Sequence, residues 1–353
     1  MKKLRRSICI QAQVLAVLCI MTVVAPMPVH GQRSSKCGYI DRRGVVVIAP
    51  TFVYAGEFHG GMASVMGSEG RPQFPYPFSG SWGFVDRTGK AVIAPAADPG
   101  FPEFSEGLAR AGGAFRDTHG KTVLEPTYTC MYGGKAYARR YVVGSFHDGM
   151  ASAQKVFVFR YPGKDTSPHA GYIDHSGRII IPLKYSDVRD FSEGMAAVEV
   201  GEKWGYVDAV GRLVIPAQYD AVGPFSEGWA FVQNGQTWGF IDHAGKMVLR
   251  PRAPISPLPA LTVFREGLAA VISGGRYGFM DRSGRMVIEP KYANEGPFSE
   301  GLAPVQLPNR QWVYINLAGR IVFRPVWHNS PAQSADGFSE GLAAVSFDVA
   351  DAK

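Results

Sequence analysis

The chain has 353 residues, 12% aromatic and 19% charged, with 42 Gly, 25 Pro and a formal charge of +7. That much Gly, Pro and aromatic content, with so little charge, suits short strands joined by tight turns better than helices. No stripe of Lys and Arg runs along it, which excludes the footprint of a nucleic-acid binder.

In chain order the first predicted element is an export signal over residues 1–31. Lys2, Lys3, Arg5 and Arg6 precede an apolar run from Ile8 to Pro26, and Val29-His30-Gly31 offers a compact exit before Gln32. A retained anchor is the competing reading, because the run approaches spanning length. No stop-transfer charges follow it, which favours cleavage. Leu18 before Cys19 excludes a lipoprotein signal. Removing four basic residues and no acidic one takes the formal charge from +7 to +3 and leaves Cys37 and Cys130. In an oxidising compartment these two can form a disulfide, and a pair of free thiols is the alternative. The expected location is periplasmic or extracellular, with no membrane span after cleavage.

Residues 32–353 repeat one phrase eight times, over about 37–65, 82–111, 113–153, 170–198, 204–232, 238–271, 277–305 and 312–345. The phrase is close to W-G-F-V-D-x-x-G-x-x-V-I-x-P, a variable stretch, then F-S-E-G-L-A-A-V. Its acid falls at Asp41, Asp86, Asp117, Asp174, Asp208, Asp242, Asp281 and, as an amide, Asn316, with Gly three residues later each time. Two residues before the acid stands an aromatic in every copy, from Tyr39 to Tyr314. Phe precedes the second Gly by three residues in all eight copies, from Phe58 to Phe338.

W-G-F-V reads as a strand. D-x-x-G reads as a turn, with the carboxylate accepting backbone N–H groups and Gly supplying positive φ. The x-x-V-I run returns as a second strand and stops at Pro, as at Pro216. F-S-E-G is a second turn and L-A-A-V a third strand. Asn234-Gly235 then marks a hairpin into the next W-G strand. Such a meander exposes too much apolar surface to stand alone, so neighbours must stack on it.

These phrases resemble the WG-containing (KWG) repeat family of bacteria, over essentially all of residues 37–345. The resemblance implies a tandem β-rich array of variable length with no assigned catalytic residues. This chain departs from the pattern at Cys37, Gly113, Ala170 and Tyr277 in the Trp slot, at Arg116 in the third copy, and at Val313 and Asn316 in the last. The expected fold is all-β, a tandem array of eight β-meander repeats. An open solenoid or superhelix is favoured over a closed eight-bladed propeller. Variable copy number argues against a ring of fixed size, and three strands per unit fall short of a propeller blade's four.

The repeated acids invite a calcium or acid-catalysis reading, yet a residue shared by eight copies serves what the copies share, which is folding. The Glu of F-S-E-G reads as a turn or capping residue and is already replaced at Gly60 and Asp148. Trp82, Trp204, Trp238 and Trp312 read as core more than as a sugar-stacking ladder. His59, His147, His175 and His243 show no ligand spacing and read as solvated turn residues, and the repeated serines are too many for a unique nucleophile. No cofactor or metal is expected.

A local site is expected where the copies differ. Insertions near 66–81, 131–145, 154–170 and 251–263 supply aromatics and arginines, beginning with Phe74, Tyr76 and Phe78. A partner-binding surface is assigned to Tyr132, Tyr137, Arg139, Arg140 and Tyr141, with Phe157, Phe159, Arg160 and Tyr161. The expected function is a non-enzymatic exported module that binds a protein or cell-envelope polymer, or acts as a scaffold. Carbohydrate or peptidoglycan binding is the first alternative and a hydrolase the second.

Overall fold

The turn phrases set the strand ends, and blade 5 shows how. Ala221–Ser226, Trp229–Asn234, Thr237–Ile241 and Met247–Leu249 pair in that order as one antiparallel sheet. Ser226-Glu227-Gly228-Trp229 makes the first turn, with φ of 53° at Glu227 and 80° at Gly228. Two successive left-handed residues give the hairpin turn whose twist matches the strands it joins. At the last turn Asp242 Oδ1 accepts the N–H groups of Ala244 and Lys246 at 3.0 and 2.9 Å. All eight copies repeat this pattern, Asn316 included, so the acid closes its own turn. Hydrogen bonds from the Ser176 and Ser283 hydroxyls, aided by backbone N–H groups, hold the Asp174 and Asp281 carboxyls down at about 2.

A computed structural model describes residues 33–67, 80–98, 103–111, 113–132, 135–155, 170–251, 255–257 and 262–350. The predicted export signal lies outside them. Contacts divide the chain into Met1–Ser34 with Ala350–Lys353, and Ser35–Val349. The second unit holds the repeats and is the one analysed below.

Eight such sheets, the blades, follow one another: blade 1 over 54–98, blade 2 over 103–124, blade 3 over 142–185, blade 4 over 188–219, blade 5 over 221–249, blade 6 over 264–292, blade 7 over 294–323, and blade 8 over 330–350 with 33–52. Seven are continuous in sequence. Blade 4 keeps three full strands, its first reduced to bridges at Val188 and Ser192. The eighth is made from both ends of the chain: Arg33–Asp41 pairs with Leu342–Ala350 on one side and with Val46–Phe52 on the other. This pairing closes the ring, and the fold is an eight-bladed β-propeller. The open solenoid expected from the sequence is therefore wrong for this chain, and so is the three-strand unit. The fourth strand is the variable stretch leading into F-S-E-G, which keeps little repeated sequence besides its Phe. Each phrase straddles two blades, giving two outer strands to one and two inner strands to the next.

The seams between blades repeat as faithfully as the turns. At all eight, the aromatic two residues before the turn acid packs on the F-S-E-G Phe of the next blade, with ring centroids 4.6–6.2 Å apart. Where that aromatic is Tyr, its hydroxyl donates across the seam to a backbone carbonyl, as Tyr206 does to Gly223 at 2.7 Å and Tyr39 to Gly56 at 2.9 Å. Such buried hydroxyls need a partner, and the next blade supplies it.

The Gly of W-G has a separate task. A Cβ on Gly38, Gly171, Gly205 or Gly239 would lie 2.4 Å from a backbone oxygen of the outermost strand, which bulges toward it. The third and eighth copies carry Ala114 and Val313 instead, and their outer strands, Thr122–Leu124 and Ile321–Phe323, are as short as Met247–Leu249 of the Gly239 copy. Released from the blade at Pro126 and Pro325, the chain makes a hairpin in both places. One is Thr127–Tyr132 with Lys135–Arg140, and the other is Val326–Trp327 with Ser330–Ala335.

Candidate functional site

The first strands of neighbouring blades touch, which places them nearest the axis of a ring of radial sheets. Ser105, Ser192 and Ser226 donate through Oγ to the carbonyls of Phe146, Phe225 and Phe264 in the next blade at 2.5, 2.7 and 2.7 Å, and Ser339 does so to Phe58. The acidic residue beside each Ser completes a rim. The carboxylates of Glu106, Asp148, Glu193, Glu227, Glu266, Glu300 and Glu340 each accept the N–H of the next blade's F-S-E-G Gly, at 2.8–3.3 Å. Seven of eight seams are latched in this way. The exception lies between blades 1 and 2, where Gly60 stands in the Glu slot.

Latching has a local cost, because these carboxylate residues sit at φ of 50–54°. A side chain in that conformation costs about 1–2 kcal/mol. Glu193→Gly relieves the backbone while removing the latch, whereas Glu193→Ala only removes the latch. The Ala variant is expected to be the less stable by about 1 kcal/mol, read from urea midpoints. Equal midpoints would show the turn to be unstrained.

A second set of side chains reaches the same rim from the D-x-x-G turns. His175 Nε2 lies 3.3 Å from Glu106 Oε2 with its ring stacked on Phe146 at 4.0 Å, and His243 repeats this with Glu193 and Phe225 at 3.6 and 4.2 Å. Arg42 donates to the Glu300 carbonyl at 2.7 Å, and Arg282 lies over Trp229 at 4.2 Å. These histidines are seam braces, a role their irregular sequence spacing did not suggest.

Two slots beside the repeated Phe of the first strand differ from blade to blade. The residue before the Phe is Glu57, Glu103, Ser145 and Asp190 in blades 1–4, then Pro224, Val263, Pro297 and Gly337 in blades 5–8. The Ser slot becomes His59, His147 and Arg265 in blades 1, 3 and 6. An axial cavity of about 700 Å³ gathers Arg110, His147, Arg189, Asp190, Ser192 and Arg265 from blades 2, 3, 4 and 6. In and beside it Ser145 Oγ donates to Glu103 Oε2 at 2.7 Å and accepts Arg110 Nε at 3.3 Å. His147 Nε2 stands 3.9 Å from Glu103 and 4.0 Å from Asp190. Desolvation raises the Asp190 carboxyl, with nearby His147 opposing only part of the rise. Among the described residues no group of three or more His, Cys, Asp or Glu is placed to hold a metal ion.

The opposite face collects the insertions. With antiparallel strands, F-S-E-G and D-x-x-G turns fall on one face, while the second-to-third-strand turns and the blade-to-blade links fall on the other. All four insertions predicted from sequence attach there: between strands 2 and 3 of blades 1 and 3, and between blades 2 and 3 and blades 5 and 6.

The structure separates the predicted partner-binding residues. Tyr132 and Tyr137 lie on the two strands of the Thr127–Arg140 hairpin, whose tip side chains lie outside the described residues. Arg139 and Arg140 are exposed on it, Arg140 paired with Glu125. Tyr141 is buried at the base and stacks on Tyr128 at 4.9 Å, which makes it a packing residue. Phe157, Phe159, Arg160 and Tyr161 lie outside the described residues, as do Phe74, Tyr76 and Phe78. Cys37 is a free thiol that burial pushes up to about 11, and the Cys130 side chain lies outside the described residues. Trp82, Trp204 and Trp312 are buried in blade cores.

The designed Ika8 protein aligns with TM-score 0.51 at 9% identity, covering 83% of this chain and 94% of that one. AztD from Citrobacter koseri aligns at TM-score 0.45 and 10% identity, covering 90% and 99%. BamB from Moraxella catarrhalis aligns at 0.41 and 11%, covering 90% and 98%. At 9% identity the first likeness is one of fold, and the other two align more loosely. No curated protein matches the chain. Residues 38–66, 171–204, 204–238 and 277–310 match the model of the WG containing repeat. Each match runs from a W-G strand into the next blade, the same half-blade offset seen in the ring, so the chain carries WG containing repeats over these residues.

Proposed function

We propose that this chain is a non-catalytic, exported scaffold that holds a protein partner on the face carrying its insertions. The observation that carries the reading is the division of labour between the faces. On the rim face the repeated acids and serines are committed to turns, latches and seams. The other face receives all four insertions, which is where repeat arrays place their binding elements. The exposed Arg139 and Arg140 of the hairpin are of a type enriched at interface hot spots. Export is supported by the basic and apolar N-terminus. Among the described residues no helix is long and apolar enough to cross a membrane.

The test is affinity capture from the native envelope after chemical cross-linking, with wild-type chain, an Arg139→Ala/Arg140→Ala double variant, and a chain whose 127–140 hairpin is replaced by a short Gly-Ser link. Both changes are expected to lose one specific protein while the thermal midpoint of the double variant stays within about 2 °C of wild type. An unchanged captured set with the hairpin removed would overturn the proposal.

A further inference from the structure

A second axial cavity, of about 350 Å³, shares Ser192, Pro224 and Arg265 with the larger one and is walled by Leu268, Phe279 and Phe298. Glu295 interrupts this apolar wall. It occupies the position three before the F-S-E-G Phe, where other blades carry Ala55, Val143, Val188, Val222 and Ala335. Its Oε2 is sealed from solvent and has no hydrogen-bond partner. A carboxylate oxygen in that state has lost its water and gained nothing in return. Burial accordingly pushes the Glu295 carboxyl up to about 7. The turn aspartates and rim glutamates all have partners, so folding does not explain this acid.

Arg265 at the shared mouth is a second departure in the same place. Five blades have Ser in its slot, and its side chain is exposed. One cavity thus brings together a half-buried acid with one sealed, unpartnered oxygen, an accessible guanidinium and three apolar walls. We propose that it binds a small zwitterionic amino acid with an apolar side chain. The ammonium group donates to Glu295, the carboxylate pairs with Arg265, and the side chain lies against Leu268, Phe279 and Phe298. An ammonium supplies the charge-assisted bond that Oε2 lacks once the Glu295 side chain swings to meet it, and a guanidinium matches a carboxylate in two-pronged geometry. The volume sits at the small end of ligand pockets, as such a molecule requires.

The test is titration calorimetry on the full chain with L-leucine, isoamylamine, which lacks the carboxylate, and 4-methylvalerate, which lacks the ammonium. L-leucine is expected to bind saturably, and each one-ended analogue more weakly by roughly tenfold or more. Glu295→Gln should weaken L-leucine by a similar factor yet raise the thermal midpoint of the unliganded chain, which shows that the variant is folded. Arg265→Ala should weaken L-leucine without that gain. Absence of saturable heat at millimolar L-leucine would overturn the proposal. So would unchanged affinity in Glu295→Gln, or isoamylamine binding as tightly as L-leucine.

Discussion

Gly205→Ala is expected to destabilise the ring by about 3 kcal/mol, near the upper end of what overpacking a well-filled site costs. The new Cβ would stand 2.4 Å from Ile215 O and 2.7 Å from Ala217 N. Both obstacles are backbone, so no rotamer change relieves them. Gly228→Ala is the control: nothing lies within 4 Å of its Cβ, and only its φ of +80° penalises a side chain, by about 1–2 kcal/mol. Chemical denaturation of the two variants should rank Gly205→Ala as the more damaging. Gly205→Ala should also loosen the outer strand Leu213–Tyr219, seen as faster amide exchange beyond Ile215. Equal destabilisation by the two substitutions would remove the close-approach account.

Ending the chain at Gly341 should abolish cooperative folding altogether. The lost segment supplies the strand that Arg33–Asp41 pairs with, and it carries Leu342, Val345 and Phe347, all buried. At about 1.5–3 kcal/mol for each such side chain, their removal consumes much of the roughly 5–15 kcal/mol that holds a domain folded. The Tyr314–Phe338 and Tyr39–Phe58 seams on either side would also open to water. A circular permutant separates closure from mere loss of residues. Joining residue 349 to residue 35 through an Asn-Gly turn, with new ends between Phe52 and Tyr54, makes blade 8 continuous like its neighbours. It should melt in one sharp transition, whereas the truncated chain should show none. A sharp transition in the truncated chain would mean that the ring does not depend on this pairing.

The turns, the three repeated strands and the structural duty of the aspartates were all legible in the sequence, because each depends on residues within a few positions of one another. Closure was not recognised, although its sign was present: the array begins with a W-G strand at residue 37 and stops after L-A-A-V at residue 345, a half-blade at each end. The fourth strand was hidden because its pairing asks only for backbone, leaving Phe as its single repeated residue. The rim latches were hidden for the opposite reason. Glu193 and its counterparts hold a position where a local turn alone would favour Asn, Asp or Gly. A poorly suited residue kept in most copies signals a distant partner, here the N–H of the neighbouring blade. The axial cluster of Arg110, His147 and Asp190 lies in variable stretches, and only the ring brings those residues together.

The half-blade offset bears on how such a ring can change size. Because every phrase contributes its two halves to different blades, a whole copy gained or lost leaves the leading and trailing strands still complementary to each other. Duplication therefore yields a wider circle instead of a dangling edge open to aggregation. A lineage can vary its number of copies while each descendant remains sealed.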